Sequence, residues 1–260
     1  SSMRLGGAGA RRYHAPTQPG SKAITSQADR TDVDAADLHR RNVELVRATI
    51  PFPREQRLRS WWCLVSTIAV LAFLLAAAAA SLHWWARLAA SLLAGLVICR
   101  LFIIYHDYQH KAIFRDSKLA KLLLTTFGLL SLNPPSAWNR SHDYHHRHNA
   151  QLLGESHGTF PVMTTAVYAR ATWRERLAYR VTRHPLTLLL GYVTVFCVSM
   201  SLIPLLTAPR RHLDCALALA MHAALIVVLA IFAPMDLLFA VLLPVTIAGF
   251  TGAYLFYCQH

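Results

Sequence analysis

Charge is scarce in this chain. Only 15% of its 260 residues are Asp, Glu, Lys or Arg, where a soluble globular domain carries about a quarter. Acidic residues are rarest: 13, against 26 Lys and Arg, a net charge of +13. Paired cysteine motifs are missing too. Cys63, Cys99, Cys197, Cys215 and Cys258 show no C-x-x-C spacing, and all lie in or beside apolar runs. There a thiol acts as a small hydrophobe, which excludes a disulfide framework and a thiolate metal site. A single basic stripe is also absent. The Lys and Arg residues flank apolar segments, so nucleic acid is excluded as a partner.

What fills the chain instead is hydrocarbon. Hydrophobic residues make up 55%, and the mean hydropathy is +0.34. These residues come in blocks, the signature of an integral membrane protein in a lipid bilayer. Residues 1–50 read as a largely disordered tail, rich in Gly, Ala, Ser, Thr, Pro and Arg to residue 35, with a short helix over 36–49. Residues 51–260 read as one membrane domain. Trp61–Leu82 is long enough to cross, with Trp61-Trp62 and Trp84-Trp85 suited to the two interfaces. It begins too far into the chain for a signal peptide and is a retained span. A second span, from about Ala86 to Tyr105, closes a tight hairpin, with Arg87 and Arg100 snorkelling near its ends.

The apolar stretch Leu119–Leu132 is too short to cross and lies in the interface. Residues 170–184 form a second interfacial helix, with Trp173, Leu177 and Val181 on one face and Arg176, Arg180 and Arg183 on another. Three apolar segments follow: 186–206, 216–233 and 237–257. Arg210 and Arg211 place the loop before 216 inside, whereas the loop at Pro234-Met235-Asp236 carries no cation. Segments 216–233 and 237–257 therefore form the second hairpin. Segment 186–206, interrupted by Pro204, dips and returns or lies along the surface. The fold class is all-α integral membrane: four transmembrane helices in two hairpins, interfacial helices, and a histidine-rich region. Lys111, Arg115, Lys118 and Lys121 put that region on the cytoplasmic side.

The histidines are clustered. Tyr105-His106-Asp107-Tyr108-Gln109-His110 ends the second span, and Ser141-His142-Asp143-Tyr144-His145-His146-Arg147-His148-Asn149 follows later. Helical positions i, i+3 and i+4 share a face. His106 and His110 can therefore converge, as can His142, His145 and His146. Clustered imidazoles bury poorly and repel one another when protonated, and a metal removes both problems. Five exceed the four ligands of a structural zinc site and favour a two-metal centre, with His148, His157 and His260 in reserve. Nitrogen-rich coordination suits Zn, Fe, Cu or Ni, and iron is the one that activates dioxygen. Asp107 and Asp143 are candidates to orient ring N–H groups. His14, His39, His83, His184 and His212 read as ordinary satisfied polar residues, and His222, inside an apolar span, as a packing residue.

These two boxes behind a two-span hairpin, with Trp138 ahead of the second and Asn149 after it, resemble the membrane fatty acid desaturase family over roughly residues 50–260. The ending Tyr254-Leu255-Phe256-Tyr257-Cys258-Gln259-His260 is similar to the end of that family's last span. The resemblance implies two non-haem irons, O₂ as co-substrate, and electrons from a ferredoxin or cytochrome b5-type donor. It implies a cis double bond introduced into an acyl-lipid or acyl-carrier substrate. His106, His110, His142, His145 and His146 would hold iron and carry the catalysis, joined by His260. The family has a third H-x-x-H-H box, which this sequence does not contain, so the expectation is a C-terminally truncated, inactive fragment. Two other readings stay open. One is a di-iron hydroxylase or ketolase acting on carotenoid, alkane or lipid. The other is a metal-binding membrane transporter, which would place ionisable residues mid-span along a path.

Overall fold

The computed structural model describes residues 25–49, 55–80, 83–147, 160 and 162–258, without the side chains of 25–36 and 145–147. Among the described residues the chain is helical, with no strand. It divides into two units, Ser1–Arg54 and Glu55–His260. The first contains α1, Thr25–Thr49, which begins well before the short helix expected at 36. Its Asp37 and Arg41 pair at i, i+4 (3.0 Å), a spacing that supports helix even in a charge-rich segment. The composition of 25–35 had argued for coil. Helix is what that Ala- and Asp-bearing stretch adopts.

The second unit holds four helices long and apolar enough to cross a membrane: α2 Arg57–Ala79, α3 Trp84–Gln109, α10 Leu213–Phe232 and α11 Pro234–Cys258. They are the four spans read from hydropathy, in the same two hairpins. Between them lie α4 Lys118–Leu130, α5 Pro135–Arg147, α6 Thr165–Arg170, α7 Trp173–Thr182 and α8 Pro185–Leu189, followed by α9, Tyr192–Thr207. α9 is apolar but shorter than a span, as Pro204 led one to expect, and it is wound as a π-helix over Tyr192–Leu202.

α3 is the spine. It packs along α2 on one side and along α11 on the other. Without water to expel, membrane helices associate through close backbone approach, and small residues permit it. A Cβ on Gly95 of α3 would lie 2.7 Å from Ile247 Cβ on α11. Where α11 crosses the start of α9, a Cβ on Gly249 would lie 2.6 Å from the Tyr192 nitrogen. At the end of the bundle away from the histidines, Arg87 Nη2 donates to Asp236 Oδ1 (2.7 Å), and its Nε to the Ala78 carbonyl (2.7 Å). Its guanidinium lies over the Phe239 ring. Arg87 thus ties α2, α3 and α11 together, where the sequence reading had it merely reaching for the interface.

α3 and α4 end alike. After α3 the Lys111 N–H bonds the Tyr108 carbonyl, and the Ala112 N–H bonds that of Asp107. After α4 the Leu132 N–H bonds the Leu129 carbonyl, and the Asn133 N–H bonds that of Gly128. This is the Schellman pattern, which needs a left-handed residue. Lys111 and Leu132 occupy that position, each with φ of 56°. Glycine would adopt it freely; these side chains are held there by their surroundings. Leu132 is buried, and its neighbour Asn133 accepts a bond from the Tyr105 hydroxyl at its carbonyl (2.8 Å).

α7 carries a full capping box between Thr172 and Glu175. Its Trp173, Leu177 and Val181 are exposed, the outward apolar face expected of a helix lying in an interface.

Candidate metal centre

α3 outlasts its apolar run by a turn, and that turn delivers His106 and His110. One helical turn separates them, and their Nε2 atoms stand 3.2 Å apart. α5 brings His142 from the other side, its Nε2 2.8 Å from that of His110. The three rings offer ligand atoms all within 4.8 Å of one another. Donors about 2.1 Å from one metal lie roughly 3.0 Å apart at right angles and roughly 3.4 Å apart in a tetrahedron. The two spacings about His110, 3.2 Å to His106 and 2.8 Å to His142, lie within a few tenths of an ångström of that range.

Two neighbours orient these rings. Asp107 Oδ1 lies 3.1 Å from His106 Nδ1. A carboxylate there can only accept, so Nδ1 carries the hydrogen and Nε2 presents its lone pair to the cluster. Trp138, one turn ahead of His142 on α5, stacks on that ring at 4.7 Å and 21°. Asp143, the other acidic candidate, is exposed on α5. His145 and His146 lie on α5 as well, but their side chains are outside the described residues. His148, His157 and His260 lie outside them entirely.

An anchor that sequence reasoning missed fixes α5. At its first turn, the Ser136 N–H donates to Asp214 Oδ2 (2.8 Å), and the Ser136 hydroxyl donates to Asp214 Oδ1. His212 Nδ1 lies 2.7 Å from the same hydroxyl oxygen. Asp214 belongs to the first turn of α10, so one carboxylate caps a helix 78 positions away in sequence. An anion at a helix N-terminus is favoured by the helix dipole. His212 is buried, at 5% exposure. It is the satisfied polar residue expected of it, with a structural duty that nothing in its local sequence signals.

Beside the histidines opens a cavity of about 410 Å³. His106, Asp107 and His142 line it, and so do apolar residues of α3, α4, α9 and α11, among them Phe102, Ile103, Phe127, Phe196 and Leu255. His222 of α10 also lines it. The packing role assigned from sequence therefore understates this residue. Chemically, the arrangement offers a nitrogen-rich donor set next to an apolar chamber.

Comparison with known proteins agrees with this geometry. The family model described as "Fatty acid desaturase" matches residues 82–260, which takes in both histidine runs and the helices that hold them. A curated "Fatty acid desaturase" from Bacillus subtilis (strain 168) is 30% identical over 175 residues, 66% of this chain and 50% of the relative. The chain thus spans about half the length of that curated relative. No solved structure matches. With the family model covering well over half of the sequence, the chain belongs to the fatty acid desaturase family.

Proposed function

We propose that the protein is an O₂-dependent desaturase that introduces a cis double bond into the acyl chain of a lipid or acyl carrier. The single observation behind this is the meeting of His106, His110 and His142 beside an apolar chamber that His106 and His142 line. The donor chemistry suits a ferrous or ferric ion, and the spacing fits one. His106, His110 and His142 would hold iron, with His145, His146 and His260 completing a set for two. Bound there, the iron pair would supply the oxidising power that O₂ and two electrons provide. The balanced reaction takes –CH₂–CH₂– with O₂, two electrons and two protons to –CH=CH– and two waters.

The chain's own residues do the rest. Phe102, Ile103, Phe127, Phe196 and Leu255 exclude water and hold the hydrocarbon beside the ligand set. Asp107 keeps the His106 lone pair directed inward. Asp214 and Ser136 keep the α5 histidines in register with those of α3. The acyl chain reaches the site from the bilayer. Lys111, Arg115, Lys118 and Lys121, all exposed next to it, fit a cytoplasmic face and an acidic one-electron carrier of the ferredoxin or cytochrome b5 kind.

The test is product analysis with the full-length protein, iron, O₂, an electron donor and a deuterated saturated acyl lipid. The expected result is a single alkene position, lost in His106→Ala and His142→Ala. A hydroxylated product with no alkene would instead establish the hydroxylase or ketolase reading. Metal uptake into vesicles without O₂ consumption would establish the transporter.

A further inference from the structure

Three buried polar side-chain atoms have no hydrogen-bond partner among the described residues: Asn133 Oδ1, Trp138 Nε1 and His222 Nδ1. Two of the three residues, Asn133 and His222, line the same cavity. Asn133 is 2% exposed and His222 6%. They come from different helices but from one neighbourhood. Leu132, beside Asn133, and Ala218, one turn before His222, belong to a single buried cluster with Phe196.

The local wiring leaves both groups available. The Asn133 Nδ2 donates to the Ser131 carbonyl (2.9 Å) and lies 3.3 Å from the Ser131 hydroxyl. That fixes the amide's orientation and leaves its oxygen as an acceptor. His222 Nδ1 has no hydrogen-bond partner among the described residues. Its ring otherwise meets Tyr192, at 5.9 Å between centroids.

A chamber built only for a saturated hydrocarbon gains nothing from such groups. A plain chain would cover them and leave them unpaired, at the full cost of lost hydration. A hydroxyl can give a hydrogen to an amide oxygen and can give to or accept from an imidazole nitrogen. We propose that the chamber takes a lipid chain bearing a hydroxyl group along its length, with His222 Nδ1–H donating to the hydroxyl oxygen and Asn133 Oδ1 accepting the hydroxyl hydrogen. The proposal rests on the acyl-chain reading above and narrows its substrate class. Sites that bond a substrate hydroxyl discriminate strongly against the chain that lacks it.

The experiment uses the full-length, iron-loaded protein in nanodiscs holding tritiated stearate. Competitors are unlabelled stearate and a series of hydroxystearates that differ in the hydroxyl's position. One position, or two adjacent ones, should compete roughly tenfold better than stearate, the return expected for satisfying one buried polar group. His222→Leu should flatten the profile, so that every hydroxystearate competes no better than stearate, and His222→Gln should keep part of the preference. A flat profile across all positions in the unmodified protein overturns the proposal, and the two side chains then satisfy themselves with water. So does a preference that His222→Leu leaves intact. If tritiated stearate itself does not bind, the acyl-chain reading fails and this inference with it.

Discussion

The two ring nitrogens of His106 have different surroundings. Nδ1 faces the Asp107 carboxylate, and Nε2 faces His110. Replacing Asp107 with Asn keeps the shape but lets the side chain donate as well as accept, which frees the ring to flip or change tautomer. Iron affinity should fall by about 10- to 100-fold, the usual effect of losing such an orienting partner. Iron titration followed by its optical or Mössbauer signature measures this, and an unchanged affinity would remove Asp107 from the site. The approach of His106 to His110 was legible because residues one helical turn apart share a face, a rule that needs no tertiary information. Asp214, Ser136 and His212 were not. Their partnership joins two distant helix starts, and each residue alone looks like an ordinary polar group near a helix end. Asp214→Asn should cost about 1–2 kcal/mol of stability, as a charged cap is lost. It should also lower the iron bound per chain, because α5 then shifts against α3. Denaturation in detergent together with metal analysis separates the two effects.

Elements were read well where hydropathy governs them and poorly where backbone detail does. All four spans fall where apolar length placed them, since a bilayer demands about twenty such residues. The left-handed turns at Lys111 and Leu132 carry no such sign, because glycine is the residue that announces them. Lys111→Gly should stabilise the end of α3 by about 1 kcal/mol, the steric relief of a left-handed position. Leu132→Gly should not, because it also empties a buried site. The Gly249–Tyr192 crossing has the opposite sensitivity. Gly249→Ala sets a methyl against main-chain atoms and should cost about 1–3 kcal/mol. Thermal melts of these variants in one detergent would rank them. On α7, hydrogen bonds from the Thr172 backbone and hydroxyl hold the Glu175 carboxyl below the usual glutamate range. A depressed value in the fold means the carboxylate stabilises the helix above the ordinary glutamate pKa. That contribution is lost as pH falls through the lowered one. Helix α7 should therefore loosen in acid, and Glu175→Gln should abolish the pH dependence of its hydrogen-exchange protection once intrinsic rates are divided out.

At the scale of the molecule, the four spans and their two hairpins were legible from the sequence. The start of α1 and the π-helical winding of α9 were not, because propensity and hydropathy are indifferent to them. The chamber was also hidden. A cavity depends on which side chains fail to fill a space, and no periodicity records that. The Arg87–Asp236 tie makes the two poles of the bundle unequal. One pole of the bundle is riveted by an ion pair, a carbonyl bond and a ring, all from the polypeptide. The opposite pole gathers imidazoles whose ring nitrogens crowd to 3.2 and 2.8 Å of one another. With no ion held between those rings, the protein should fray from a single direction, like a sheaf bound only at its base. Protease cuts and deuterium uptake should concentrate on α5 and the end of α3, while the Trp84 end of the same helix stays closed.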